Sequence, residues 1–191
     1  MNSLLLILLL APVALLAQND DPKRWTFAPS FSFGSENNSE NYGLMLSNEI
    51  GYNFASRFPV SANVSFFHSF PWLNDREPDY YRSYSSFFAG FRMSYSPFKT
   101  TKFFTKASIG LDYVHTHDVQ AQGLFIINAN AQSVLYDRAI ISKSNELGYY
   151  ISVESGWKLS NTVSLGPIIQ IYSYQIFGDI ITLGPKVHIK L

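Results

Sequence analysis

The chain has 191 residues, and 14 Lys and Arg balance 14 Asp and Glu, so no basic surface advertises a nucleic-acid partner. It contains no cysteine, which excludes disulfides, a thiolate metal site and the thiol needed for a lipid anchor. Aromatic residues reach 16%, mostly Phe and Tyr, a high share.

Residues 1–17 are almost wholly apolar and carry no charged side chain. The stretch is shorter than the roughly 20 residues of a transmembrane helix and has the form of an export signal, with Ala17 before the cut and Gln18 after it. An uncleaved helical anchor is the alternative. Residues 18–23 form a short polar lead-in, expected on the periplasmic side, and 24–191 the barrel itself.

From there apolar and polar residues alternate, strand after strand. The first strand, 24–34, places Trp25, Phe27, Pro29, Phe31 and Phe33 on one face. After a polar loop at 35–41, the second sends Tyr42, Leu44, Leu46, Asn48, Ile50 and Tyr52 outward and Met45, Ser47 and Glu49 inward. A tight turn at 55–59 leads to the third, 60–70, with Val60, Val64, Phe66 and His68 outward. An acidic loop, 71–79, precedes the fourth, 80–96, where Phe87, Phe91 and Met93 oppose Arg82, Tyr84, Phe88 and Arg92. The fifth, 103–116, sets Ile109, Leu111 and Tyr113 against Lys106, Ser108 and Asp112. The sixth, 147–159, sets Tyr149, Ile151 and Trp157 against Tyr150 and Glu154. The seventh, 163–174, has Leu165, Ile169 and Ile171 against Gln170 and Tyr172. The eighth, 181–191, alternates Ile181, Leu183, Pro185, Val187 and Ile189 with Thr182, Gly184, Lys186, His188 and Lys190.

The pattern predicts an all-β fold: an eight-stranded antiparallel up-and-down transmembrane barrel. Brief turns follow the second, fourth and sixth strands and longer or more polar connections follow the first, third and fifth, the phase expected when the short turns are periplasmic; the connection after the seventh, 175–179, is short and departs from that phase. Charge decides between a membrane barrel and a soluble sandwich or lipocalin-like barrel. Glu49, Arg92, Lys106, Asp112, Glu154, Lys158, Lys186 and Lys190 all share the parity of the Gly, Ser and Thr residues of their strands. A lipid-facing Lys or Arg at the midplane costs roughly 2–4 kcal/mol, so the charged face must point into the lumen.

Two segments resist simple alternation. Leu165-Gly166-Pro167 and Leu183-Gly184-Pro185 put proline inside the last two strands, where each deletes a ladder hydrogen bond. A bulge absorbed by the neighbouring glycine is expected at each. Residues 117–146 form a long external segment with strand character on both sides of Asn128-Ala129-Asn130. It either extends the fifth and sixth strands as a hairpin or adds two spanning strands to make ten. Consecutive Asp137 and Arg138 favour eight, since one of them would otherwise face lipid.

The interior of an eight-stranded barrel is only wide enough to be filled by side chains. Glu49, Arg92, Lys106, Glu154 and Lys186 lie at similar depth, and with Asp112 they form a lumenal charge cluster whose members must pair. The structural reading is an electrostatic core; the alternative is a gated conduit. No catalytic, cofactor or metal residue is assigned. His115 and His117 share a strand face as a possible metal pair but are read as rim residues. His68 and Ser69 point to opposite faces, and no His/Ser pair on one face near the rim is legible, which argues against a lipid-modifying enzyme. The acidic loop Leu73–Asp79 is read as solvated rather than as a divalent-ion site bridging to lipopolysaccharide.

On the Leu-Leu-Ala17-Gln18 junction, the aromatic-rich strands and the Leu-Gly-Pro pair, the chain resembles small outer-membrane β-barrel proteins of Gram-negative bacteria. The nearest likeness is the porin-like outer membrane protein beta-barrel domain family of Bacteroidota type. Leu191 departs from the terminal Phe or Trp usual in such barrels. The resemblance implies insertion by the barrel-assembly machinery, contact with outer-membrane lipid and lipopolysaccharide, a monomer, no cofactor and no enzymatic activity. The expected role is structural or surface-interacting with a filled lumen; a narrow passive pore for small solutes is the alternative.

Overall fold

The alternation closes on itself. In the computed structural model, which describes residues 25–36, 41–55, 58–70, 80–98, 100–128, 131–174 and 178–191, there are eight strands. They are β1 (Trp25–Glu36), β2 (Asn41–Ala55), β3 (Phe58–Ser69), β4 (Tyr80–Tyr95), β5 (Phe103–Asn128), β6 (Ala131–Lys158), β7 (Val163–Tyr174) and β8 (Gly178–Lys190). Each pairs antiparallel with the next, and β8 returns to β1, giving a closed barrel. Closure removes the exposed sheet edges that an open sheet would leave. The export signal, the lead-in and the acidic loop expected from the sequence lie outside the described residues.

Side-chain period fixes which way each residue faces. Phe31, Leu46, Val64, Phe91, Ile109, Ile151, Ile169 and Leu183 stand exposed on the outer surface. Met45, Phe67, Tyr84, Phe88, Val114, Tyr150 and Tyr172, all on the opposite parity, are fully buried inside. Aromatic pairs crowd one end of the outer face: Trp25 with Tyr52, Phe58 with Tyr95, and Phe103 with Trp157. At that same end the turn before β7 is held by Ser160, whose Oγ accepts from the amides of Thr162 (3.2 Å) and Val163 (3.0 Å). Such a local side-chain turn needs few residues, which is why the connection is tight.

Residues 117–146 are paired backbone rather than a loop. Val114 through Asn128 runs antiparallel to the segment from Ala131 to Glu146, continuing the ladder already formed below. Of the two arrangements open from the sequence, the structure has the hairpin extension and eight strands. A register shift falls between Gln122, opposite Arg138, and Gly123, opposite Tyr136, so Asp137 is the extra residue of a bulge. β6 meets β7 only from Tyr149 onward, and β3 meets β4 only from Ser85 onward. A three-stranded sheet of β4, β5 and β6 therefore projects beyond one end of the barrel.

The expected bulges at the prolines are absent. Pro167 and Pro185 are direct partners across β7 and β8, in a register unbroken from Val163–Ile189 to Tyr174–Gly178. The missing rungs lie on the far sides. Between β6 and β7 the ladder lapses after Glu154–Ile168 and resumes in the same register at Trp157–Leu165. Between β8 and β1 it lapses between Ser30–Lys186 and Phe33–Leu183. In an antiparallel ladder one residue's N–H and C=O point to the same neighbour, so two opposed prolines can both turn away from their shared ladder. No extra residue is needed, and register survives.

The glycines before these prolines are required for close approach. A Cβ on Gly166 would collide with the Ser155 carbonyl oxygen, and one on Gly184 with the Phe31 carbonyl oxygen. Gly156 faces Gly166 in the same way, its own Cβ falling 2.9 Å from the Gly166 Cα. Gly166→Ala is therefore expected to lower stability by about 1–3 kcal/mol. Gly51→Ala should cost less, because there the nearest obstacle, at 2.6 Å, is the Thr26 hydroxyl, which can rotate. Urea midpoints of the two refolded variants measure the difference; equal midpoints would remove the close-approach account.

Candidate functional site: a filled interior and an outward polar patch

Three layers of side chains fill the barrel. The first is ionic. Glu49 on β2 meets Lys186 on β8 at 2.6 Å, Lys106 on β5 at 3.4 Å and Arg92 on β4 at 3.5 Å. Glu154 on β6 meets Lys186 at 3.3 Å and Lys106 at 3.4 Å, and His188 Nε2 contacts its other oxygen. The two lysines thus bridge two carboxylates contributed by opposite sides of the barrel. Glu154 is held by charge at ion-pair distance rather than by aligned hydrogen bonds. All five charged groups are at most 9% exposed, where attraction is far less screened than at a surface.

Five of the six residues picked from the sequence as a charge cluster meet here: Glu49, Arg92, Lys106, Glu154 and Lys186. Asp112 lies one row further along and makes no ion pair with them among the described residues. Its Oδ1 accepts from Asn63 Nδ2 at 3.4 Å, and its other oxygen is buried without a hydrogen bond. Arg92 lies within its electrostatic reach without forming an ion pair to it. His188 belongs to the layer as well, through its contact with Glu154. Lys158 bonds the Thr100 carbonyl at the rim, and Lys190 is exposed.

The second layer is polar and aromatic. The Arg92 guanidinium sits 3.4 Å from the Tyr150 ring centroid and donates to Tyr172 Oη at 3.0 Å. Tyr172 Oη also meets Ser65 Oγ at 3.0 Å. Gln170 donates to Tyr150 Oη at 3.3 Å and accepts from Thr182 Oγ1 at 3.2 Å. Arginine is suited to this position because one planar group can stack on a ring and pair with a carboxylate at once. The third layer is apolar: Met45, Phe67, Tyr84, Phe88, Val114, Tyr174 and Ile180 form one buried cluster, with Tyr84 and Tyr174 joined through their hydroxyls. Beyond it, Arg82 grips Asp118 with two nitrogens, the closer at 2.9 Å. The sequence signalled the tyrosines only by their inward parity; their network depends on cross-barrel distances that no single strand carries.

The outer surface holds a contact that strand-by-strand reading missed. His68 Nδ1 lies 2.8 Å from Ser85 Oγ, both half-buried and facing outward on β3 and β4. The expectation that no His/Ser pair shares a face near the rim is thereby corrected: the partners come from different strands, and only register brings them together. The imidazole is wedged between Phe66, parallel at 6.4 Å, and Phe70, edge-on at 5.9 Å. Among the described residues no carboxylate is bonded to His68, whose recorded hydrogen-bond partner is Ser85. His115 Nδ1 is bonded to Asn145 Oδ1 at 2.8 Å, and no group of three metal-ligating side chains occurs among the described residues.

The fold defines the class: a closed, eight-stranded, antiparallel barrel of the kind seen in small outer-membrane proteins. The chain is similar in structure to Neisserial surface protein A, at 11% identity and a TM-score of 0.57, covering 87% of this chain and 96% of that one. It is similar to Ail, the attachment invasion locus protein of Yersinia pestis, at 6% identity and a TM-score of 0.58, covering 88% and 99%. It is likewise similar to a major outer membrane protein from Thermus thermophilus, at 10% identity and a TM-score of 0.58, covering 87% and 99%. At these identities the likeness is one of fold. No family model and no curated protein matches the chain.

Proposed function

We propose that this protein is an outer-membrane surface protein, anchored by a side-chain-filled barrel and acting through the projecting β4–β5–β6 sheet. The filled interior carries the reading. Passage of a solute would require displacing Tyr150, Tyr172, Phe67 and Phe88 together, all fully buried, along with the ion pairs beneath them. The passive-pore alternative has no comparable support. The resemblance to the Bacteroidota-type barrel family, insertion by the assembly machinery, a monomeric state and the lack of enzymatic activity are part of the same proposal.

The projecting sheet supplies the interaction surface. On the β7 side, β6 pairs with β7 only from Tyr149 onward, and among the described residues its stretch from Ile140 to Asn145 has no ladder partner there and forms an edge. Ile140 and Ile141, 64% and 59% exposed, lie on that strand. An extended segment of another protein could add to such an edge as a further strand. Two measurements test the proposal. The chain lacks cysteine, so Ser142→Cys should label with a membrane-impermeant maleimide on intact cells, whereas Ser160→Cys should label only after lysis. The opposite pattern overturns the orientation. Planar-bilayer recordings should show no steady unitary conductance; a steady conductance overturns the filled-lumen reading.

A further inference from the structure

The outward face of β3 to β6 changes character where the apolar band ends. About ten residues separate the girdle residue Phe103 from Tyr113 on β5, and at ~3.3 Å per residue and a strand tilt near 40° they span about 25 Å. Directly beyond lie polar side chains on adjoining strands. Register aligns His68 with Ser85, Ser85 with His117, and His117 with Lys143. His115 and Asn145 are partners in the neighbouring row.

The hydrogen bonds leave this patch rich in donors. Asn145 Oδ1 accepts from Tyr113 Oη at 2.6 Å and from His115 Nδ1 at 2.8 Å. With Oδ1 engaged on this side, the amide N–H groups of Asn145 remain its donors. Lys143 adds a positive charge, while Asp112, Asp118 and Glu154 on these strands are buried inside. Immediately below, Phe87, Leu147 and Tyr149 are exposed and apolar. A donor-rich, cationic strip above an apolar wall matches an amphiphile with an anionic head and hydrocarbon tails.

We propose that this patch binds the phosphate of an outer-leaflet lipid, with Lys143 and His117 contacting the head group and Asn145 donating to it. The inference deepens the surface-protein reading and rests on its orientation for the leaflet, but the binding itself is testable apart from it. The full chain, refolded in bicelles, is examined by native mass spectrometry with phosphatidic acid, with phosphatidylcholine and with inorganic phosphate alone. Phosphatidic acid should be retained in preference to phosphatidylcholine, and inorganic phosphate should not be retained. Lys143→Ala should weaken retention about fivefold, the value of one basic residue near an anionic head group. The double variant H117A/K143A should weaken it further while keeping heat-modifiable gel mobility as evidence of folding. Equal retention of the two lipids, binding of inorganic phosphate by itself, or indifference to the double variant would each overturn the proposal. If only the maleimide pattern is reversed, the orientation fails while the lipid site stands.

Discussion

Glu49→Ala is expected to destabilise the barrel by about 3–5 kcal/mol, the penalty for removing one side of a buried ionic arrangement. Glu49 faces Lys186, Lys106 and Arg92 at 2.6 to 3.5 Å. Without it, Glu154 alone would balance both lysines, and Arg92 would keep only its tyrosines and the more distant Asp112. Glu49→Gln keeps the shape and an acceptor oxygen but not the charge, so it should fall between wild type and alanine. Because the penalty comes from orphaned cations, combining Glu49→Ala with Lys186→Met should recover part of it. Urea unfolding of the full chain in lipid vesicles measures all four proteins. A loss below about 1 kcal/mol for Glu49→Ala, the size typical of exposed pairs, would show that water reaches the cluster. Conductance should stay absent in the variant, since Tyr150 and Tyr172 still close the lumen above the vacated position.

The contrast between Glu49 and His68 shows what alternation alone reveals. Parity is a local property, so the facing of Glu49, Arg92, Lys106, Glu154 and Lys186 was legible strand by strand. Their common depth was legible too, because in an up-and-down barrel equal distance from the turns at one end means similar height. Asp112 has the same parity but a different depth, and its neighbour is Asn63. The His68–Ser85 contact was invisible because it depends on how two strands slide against each other, which a bulge or an unequal turn resets. The same limit hid the role of the prolines. Each looked like a break in its own strand, whereas the pair is benign because the two are directly opposed. In the hairpin beyond Val114, local composition indicated strands but not where they went. Their pairing with each other, broken by one extra residue at Asp137, keeps them continuous with β5 and β6.

Ile109→Arg separates a membrane barrel from a soluble one, because the expected effect differs between the two environments. Ile109 is 59% exposed, pairs laterally with Met93 and Ile151, and lies between the Phe103 end of β5 and Tyr113. In water, arginine at such a position replaces an exposed apolar side chain, and a surface substitution of that kind stays within about 0.5 kcal/mol. In a bilayer the same change carries a guanidinium to the hydrocarbon midplane and costs roughly 2–4 kcal/mol. Leu159→Arg supplies the internal control: Leu159 is 66% exposed but sits at the turn between β6 and β7, where the interfacial cost falls to about 0–1 kcal/mol. The expected order in vesicles is therefore wild type close to Leu159→Arg, with Ile109→Arg well below both. If Ile109→Arg unfolds at the wild-type midpoint, the outward row from Phe31 to Leu183 faces something other than lipid. The polar strip at Lys143 and His117 would then lose the apolar boundary that places it at a head-group level.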